Sequence, residues 1–515
     1  MLRLEDFALR LHDADNVAVI KRTVKAGTEL ADGTQRLTVN QTIPGGHKIA
    51  LTGIAAGEPV RKYGQIIGFA SSRIAPGDHV HTQNVEVRDF GRDYGFCVDA
   101  RPVSYHPPEQ MWFFQGYARP GGKVGTRNYL AVISSVNCSA SVSRYVAERF
   151  KGPDFRRDFP NVDGVVAFTH KVGCGIQPGA PHKLLQRVAA GIARHPNIAG
   201  YVMIGLGCEV NQVQFIVKDY RLDELRPGEQ PPTFLTIQST GGVRKTVEAA
   251  TAAVARLLPA ANALRRTPQP ISKLILAENC GGSDGNSGIT ANPALGVASD
   301  ELVRYGGTSV LAETPEIYGA EHLLTRRAVT PEVGQKIVDL IRWWEAYARA
   351  NEGTIDNNPS YGNKEGGLTT IFEKSLGAVA KGGQAPLAAV YQYAEEITTP
   401  GFCFMDTPGY DPVSMTGLVC GGCNVGVFTT GRGSVYGCKP TPCIKVATNT
   451  PLFHHMEEDM DLNAGTILDG TETVEQVGRR IFEEIVAVAS GKPTKSELAG
   501  MGDEEFAPWL LGAQF

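Results

Sequence analysis

From Gly116 onward the chain alternates two kinds of segment. "YLAVISSVNC" is followed by "SASVSRYVAERF", "VDGVVAFTHKVGC" by "APHKLLQRVAAGIARH", "IAGYVMIGLGC" by "NQVQFIVKDYRL" and "TFLTIQSTGG" by "VRKTVEAATAAVARLL". Continuous apolar runs are strands buried on both faces; the amphipathic stretches between them are helices that cover those faces. A chain with this rhythm folds around parallel sheets of the α/β class. The polar break "RRTPQP" closes the first series. A second one follows with strands near "KLILAE", "TSVLAE", "GVFTT" and "IKVAT" and helices at "PEVGQKIVDLIRWWEAYARA" and "VEQVGRRIFEEIVAVA".

The first 90 residues differ. "VKAGTEL", "IAAGEPV" and "IAPGDHV" repeat one turn, with an apolar residue, a glycine and a further apolar residue at fixed spacing. Such a repeated turn between short strands predicts a small β domain. Residues 91–115 lack a clean period and carry three prolines, which predicts a linker. The expected organisation is a β domain over 1–90, a linker over 91–115, a Rossmann-like α/β domain over 116–268 and a C-terminal α/β domain over 269–515. The 50 basic and 54 acidic residues give a net charge of −4, so no basic field recruits nucleic acid. No apolar run approaches the ~20 residues of a membrane span. The N-terminus has no signal-peptide pattern, which predicts a cytoplasmic protein. Ten cysteines in 515 residues are too few for a disulfide framework.

The chemistry concentrates at strand ends. Cys138, Cys174, Cys208 and Cys280 each follow a predicted strand, in the polar or glycine-rich contexts "VNCSAS", "VGCGIQPG", "GLGCEVN" and "NCGGSDGNSG". In open parallel sheets the carboxyl ends of strands form the ligand crevice. Thiolates there suit iron, zinc or an iron–sulfur cluster, whereas a single free cysteine is more often a small buried hydrophobe. His79 and His81 are two apart, on one face of a strand, as two metal ligands would be; an exposed strand edge is the plainer reading. His170 precedes Cys174 by four residues and is a general-base or ligand candidate; the alternative is a strand-end histidine bonded to backbone. Cys420, Cys423, Cys438 and Cys443 have zinc-like spacing, but a buried strand runs between the pairs. Arg432 in "TTGRG" and Lys364 in "NKEGG" suit an acidic substrate. Lys445 sits inside an apolar run, so it is either snorkelling or functional. No Walker A or dinucleotide fingerprint occurs.

Taken in order, "GHKIAL", "KYGQIIG", "GDHVHTQN", "GKVGTRNYL", "THKVGCG", "RHPNIAGYVMIGLGCE", "CGGSDGNSGITANPALG", "ETPEIYGAEHLL", "NPSYGNKEGGLTT", "FTTGRG" and "IKVATN" resemble the altronate/galactarate dehydratases over nearly the whole chain. The resemblance implies an N-terminal SAF-type β-clip domain. It also implies an iron-dependent hydro-lyase that converts a hexonate or hexarate to a 2-keto-3-deoxy acid. An altronate-like substrate is expected first and galactarate next. Fe2+ is the expected cofactor, with an open-iron cluster or Mn2+ as alternatives. Expected metal ligands are Cys138, Cys174, Cys208, Cys280, His79 and His81. Expected catalytic groups are His170, Lys445, Arg432, Lys364, Asp284 and Glu209, and expected substrate contacts are Ser283, Asn286, Arg127, Asn128 and Glu313. A homo-oligomer is compatible with this reading. A sulfolactate-type lyase and a zinc-stabilised sugar-acid binding protein are the rivals.

Overall fold

The computed structural model describes residues 2–32, 35–225 and 231–511. It is an α/β fold with a small β domain at its N-terminus. Four strands of the middle region form a parallel sheet in the spatial order 164–168, 129–134, 198–205, 233–236. The C-terminal region forms a seven-stranded parallel sheet in the order 387–391, 401–405, 308–311, 275–280, 425–430, 443–447, 462–463. The strand Ile275–Cys280 comes first in this sequence yet lies inside the sheet. The chain builds outward from it on one side, then returns to build on the other. That reversal opens a crevice beyond Cys280, flanked by the ends of Thr308–Leu311 and Val425–Thr430.

Two short segments depart from the sequence reading. The end of the expected linker and the polar break after residue 264 pair as antiparallel strands, with Phe113 opposite Pro270 and Phe114 opposite Gln269. The chain therefore enters and leaves the middle region side by side, which ties both crossings to the C-terminal sheet. Backbone pairing overrides weak strand propensity here.

In the N-terminal domain the repeated turn occurs four times, not three. Val24 bridges Ile43 and Ile54 bridges Ile74. Each of these residues begins a turn whose glycine, Gly27, Gly46, Gly57 or Gly77, has φ between 77° and 85°. Only glycine adopts this geometry without strain. The repeat missed in the sequence is "IPGGHKI", and it places His47 and Lys48 just after the turn.

The β domain is welded to the C-terminal region. Val17, Ile54, Val60, Ile67 and Ile74 share one apolar cluster with Leu311, Ile317, Leu376 and Phe402. Beside it, Lys48 and Lys62 each place Nζ 2.9 Å from the Glu373 carboxylate, and all three side chains are buried. Thr369 donates to the same carboxylate through its hydroxyl at 2.6 Å and its amide at 2.9 Å. Lys48 also donates to the Gly367 carbonyl at 2.6 Å.

Burial alone would raise the Glu373 pKa, but the two lysines outweigh it and hold the carboxyl below its ordinary value. Its contribution is therefore complete above about pH 4.3 and is lost as the pH falls below that. Glu373→Gln leaves two buried ammonium groups without a counter-charge. The expected cost is about 3–5 kcal/mol, read as a lowered midpoint in urea unfolding at pH 7. An unchanged midpoint would remove this carboxylate as the anchor.

Candidate active site

The loop "GGSDGNSG" begins directly after Cys280 at the sheet's switch point. Its acid, Asp284, turns inward. It accepts from the hydroxyls of Ser287 and Thr448 at 3.0 Å and from the Asn286 and Asn449 amides at 3.2 Å. Asp284 thus organises the loop rather than facing a ligand. The loop is pressed against the β domain: a Cβ on Gly285 would overlap the Gly46 carbonyl oxygen, and one on Gly367 would overlap the same atom. Close packing of three backbones explains glycine at these positions.

Immediately after Gly46 comes His47, and it gathers with His79 and His81. One ring nitrogen of each lies within 4.8 Å of the others. His47 Nδ1 is 2.9 Å from His79 Nε2, and His47 Nε2 is 3.0 Å from the Glu365 carbonyl. The carbonyl can only accept, so the His47 proton sits on Nε2 and the Nδ1 lone pair faces the cluster. His81 Nδ1 is buried without a partner among the described residues. Burial pushes all three imidazoles down, His79 to about 4 and His81 to about 3. Neutral imidazoles with free lone pairs are the form that binds a divalent ion, so the donor set fits a metal.

Behind the loop lies a second set. Cys280 Sγ is 3.9 Å from Glu313 Oε2 and 3.6 Å from Glu316 Oε2. Lys381 Nζ is 2.9 Å from the thiol and 3.2 Å from Glu313, and Lys374 Nζ is 2.6 Å from Glu316. Lys381 bridges the thiol and Glu313 Oε2, and Lys374 takes the other oxygen of Glu316, so this set fits acid–base chemistry better than a metal. Burial, with the Glu316 charge, raises Glu313 to about 8. Lys374 and Lys381 outweigh burial at Glu316 and hold it down. Burial raises the Cys280 thiol to about 12, leaving it protonated at neutral pH. Glu313 also has φ +72°, a strained conformation for a residue with a side chain. Asp411 is packed so close to Gly281 that a Cβ there would overlap its carboxylate. Burial brings Asp411 to about 7.

The structure sorts the sequence candidates. It brings His79, His81, Ser283, Asp284, Asn286 and Arg432 to one crevice, while Lys364, on the adjoining short helix, has Asp356 as its charged neighbour. Gly366 lies against both Asp284 and Arg432, and Asn363 donates to the Ser283 carbonyl at 2.8 Å. Arg432, about half exposed, is 3.7 Å from Glu365. Ser283 Oγ and Asn286 Oδ1 are buried without partners among the described residues.

Other candidates stand elsewhere. Cys138, Cys174 and Cys208 end strands of the four-stranded sheet, so Cys280 does not join them. His170 is buried and accepts from the Val172 amide at 3.2 Å; burial lowers it to about 4. It is the backbone-bound strand-end histidine of the plainer reading. Glu209 is spent on Ser135 Oγ at 2.7 Å and the Gly207 amide at 2.6 Å. Arg127 pairs with Glu497 at 2.7 Å, and Asn128 donates to the Asn161 and Ala261 carbonyls at 2.6 and 2.9 Å. Both are packing residues. Lys445 is buried and donates to the Tyr436 carbonyl at 3.0 Å, so a backbone oxygen explains it. Cys420, Cys423, Cys438 and Cys443 are buried in the apolar core and do not form a metal set among the described residues. No helix of the described residues is long and apolar enough to cross a membrane.

Three family matches tile the chain. The Altronate/galactarate dehydratase SAF domain matches residues 6–88. The D-galactarate dehydratase/Altronate hydrolase second domain matches 116–262, and the D-galactarate/Altronate dehydratase C-terminal domain matches 271–514. The chain belongs to the galactarate/altronate dehydratase family. It is 38% identical to the galactarate dehydratase (L-threo-forming) of Escherichia coli over 492 residues, 94% of this chain and 93% of that protein. It is 35% identical to the altronate dehydratase of Bacillus subtilis over 499 residues, 95% and 96% of the two chains. It is also 30% identical to (2R)-sulfolactate sulfo-lyase subunit beta of Chromohalobacter salexigens over 396 residues, 76% and 96% of the two. The alpha subunit of that lyase is 37% identical over 86 residues, 15% of this chain and 92% of the subunit. Dehydratases of this family are hydro-lyases, so the non-catalytic rival falls away.

His47, which sequence reasoning passed over, gives a direct test. Manganese(II) binding to the metal-free protein, followed by calorimetry, should weaken by at least about 10-fold in His47→Ala and in His79→Ala. Because the imidazoles are already neutral, the parent affinity should change little between pH 8 and pH 6. Ordinary histidines would begin to protonate across that interval and lose affinity. A steep loss at pH 6 would contradict the geometry.

Proposed function

We propose that this protein dehydrates a polyhydroxy acid, a hexonate or hexarate, in the crevice at the switch point. An altronate-like hexonate is the first choice and galactarate the second. One observation carries the reading: three neutral imidazoles of the β domain meet a loop with two partnerless polar atoms, backed by a lysine-paired carboxylate set. His47, His79 and His81 would hold a divalent ion, Fe2+ first and Mn2+ as the alternative. When bound, such an ion supplies Lewis-acid polarisation of oxygen donors.

The chain's own groups do the rest. A C2 proton beside a carboxylate is weakly acidic, and hydroxide at C3 leaves poorly. Arg432 at the crevice mouth and Lys364 on the adjoining helix attract and orient the carboxylate. Ser283 Oγ and Asn286 Oδ1 bond substrate hydroxyls. Glu313, titrating near 8, takes the C2 proton. Asp411, titrating near 7, supplies the proton with which the C3 hydroxyl leaves as water. Lys381, held charged by the Glu313 and Glu316 carboxylates, steadies the negative charge that develops next to C2. The enol product then tautomerises to the 2-keto-3-deoxy acid.

A second reading has specific support. Both subunits of a sulfolactate sulfo-lyase resemble this chain, the beta subunit over 76% of it and the alpha subunit over 15%. Sulfite in place of hydroxide would use the same proton abstraction. An anaerobic panel of hexonates, hexarates and sulfolactate, with iron added, separates the two by product: 2-keto-3-deoxy acid or sulfite.

Solvent deuterium exchange at C2 tests the base. Glu313→Gln should slow exchange by about 10²–10⁴-fold while substrate binding persists. His170→Ala should exchange at the parent rate. The reverse pattern would move the base to the middle domain. Arg432→Ala should instead weaken binding and turnover together.

A further inference from the structure

Glu313 stands in a conformation that needs support. Its φ of 72° and ψ of 66° lie in the left-handed region, which a residue with a side chain leaves unless its surroundings hold it there. A return of φ to negative values would turn the Glu313 carboxylate away from Lys381 and Cys280, the groups it meets now. The support comes from the neighbouring strand. Thr308–Leu311 and Gly401–Met405 run parallel, with Leu311 opposite Phe404, so both leave the sheet at the same edge. Beyond that edge the pairing continues. The Glu313 amide donates to Thr407 Oγ1 at 2.9 Å and the Thr314 amide to the Thr407 carbonyl at 3.0 Å. Thr314 Oγ1 donates to Asp406 Oδ1 at 2.6 Å.

Asp406 is itself held. Trp344 Nε1 donates to the same Oδ1 at 2.8 Å, so both lone pairs of that oxygen are taken and the carboxyl cannot rotate freely. Asp406 and Trp344 are both buried. Burial works against a carboxylate and raises its pKa. An apolar side chain would fill the space without that cost; what Asp406 adds is a fixed acceptor for Thr314. Trp344 lies on the helix Pro331–Ala350, and its ring is stacked on Trp509 at 5.3 Å between centroids and 5° between planes. Trp509 belongs to a C-terminal strap, residues 503–511. The Trp509 amide donates to the Tyr393 hydroxyl at 3.2 Å, the Ala507 amide to Thr416 Oγ1 at 3.0 Å, and Phe506 packs edge-on against Phe168 of the middle domain. Contacts thus run unbroken from the strap to Glu313.

We infer that Thr314, Asp406 and Trp344 are positioning residues for the base: they brace Glu313 in its left-handed conformation, and Trp509 of the C-terminal strap steadies them from outside. This role rests on the reading of Glu313 as the group that takes the C2 proton. A base must point at the carbon it deprotonates, and a displacement of about 1 Å by a remote change can cost on the order of 10²-fold in rate. Loss of the brace therefore slows proton abstraction and leaves substrate binding, which Arg432 and the loop after Cys280 supply, nearly unchanged. A residue that only packs gives the other pattern, a lower unfolding midpoint with the parent rate in the folded protein.

The test uses the full iron-loaded chain with altronate, galactarate or sulfolactate, whichever the parent turns over. Thr314→Val removes the hydroxyl at near-constant size. It should lower kcat and C2 deuterium exchange together by about 10–100-fold, with KM within about 3-fold of the parent. Thr314→Ser, which keeps the hydroxyl, should recover most of that loss. Trp344→Phe keeps a ring but loses the N–H, and Trp509→Ala removes the stack; each should slow exchange by about 3–10-fold at constant KM. As a check of folding, manganese(II) affinity of the imidazole set should stay at the parent value in all four. A parent rate in Thr314→Val, a Thr314→Ser variant as slow as Thr314→Val, parent rates in Trp344→Phe and Trp509→Ala, or a rise in KM that accounts for the whole loss of kcat/KM would each overturn the brace. Glu313→Gln, run beside them, separates brace from base. Exchange lost there but kept in Thr314→Val overturns the brace alone; exchange kept there overturns the base and the brace with it.

Discussion

One buried carboxylate joins what would otherwise be separate domains. Glu373 accepts Lys48 and Lys62 from the β domain and Thr369 from the turn before its own helix. Two charges on one partner, all removed from water, are favourable only when every bond is made. The arrangement therefore tolerates little sliding of one domain over the other. Lys48 follows His47 directly, so fixing its ammonium also fixes the imidazole beside it. The metal-fitting set thus inherits its position from an ion pair outside it.

The other side of the crevice depends on sheet topology. Cys280 and Glu313 end adjacent strands, Ile275–Cys280 and Thr308–Leu311, and Glu316 follows in the next turn. The switch in strand order sets these ends side by side at the edge of a crevice, where polar groups collect. Lys374 and Lys381 come from the segment that begins at Ile371, the same one that bears Glu373. One stretch of about ten residues therefore anchors the β domain through Glu373 and neutralises the acids through its two lysines. A shift of the β domain would be felt directly by the acid–base set.

The parallel α/β character was legible because doubly buried strands print as unbroken apolar runs. The small β domain was legible from its repeated turn. The fourth repeat is masked because "IPGGHKI" has Pro-Gly before its turn glycine where the others have Lys-Ala, Ala-Ala or Ala-Pro, and His47 goes with it. Arg127 and Lys445 show the opposite error. Each is a charge in an apolar context, and each proves to be satisfied locally, by Glu497 and by the Tyr436 carbonyl. Sequence shows that a buried charge needs a partner; it does not show whether that partner is the protein or a ligand. His170 carries the same ambiguity, since a backbone amide bonds its Nδ1. The thiols after successive strands were legible as an address, but one address pattern covered two sheets, so Cys280 was grouped with residues of another domain.

The relatives put this geometry in context. One is an alpha subunit that matches 15% of this chain; the other is a beta subunit that matches 76% of it. In this chain the imidazoles belong to the β domain and the loop after Cys280 to the C-terminal sheet, on two sides of one crevice. A site divided between two bodies needs an interface that forms one register only. An apolar patch alone would not supply that, because dispersion and burial are weakly directional. The Lys48–Glu373–Lys62 bridge supplies direction, and the backbone contacts of Gly46 with Gly285 and Gly367 supply the stop. In a single chain the same parts remain, with residues 91–112 as the tether. The tether raises the effective concentration of the two halves but cannot orient them. Orientation comes from the bridge, whose charges are fully buried between the two domains.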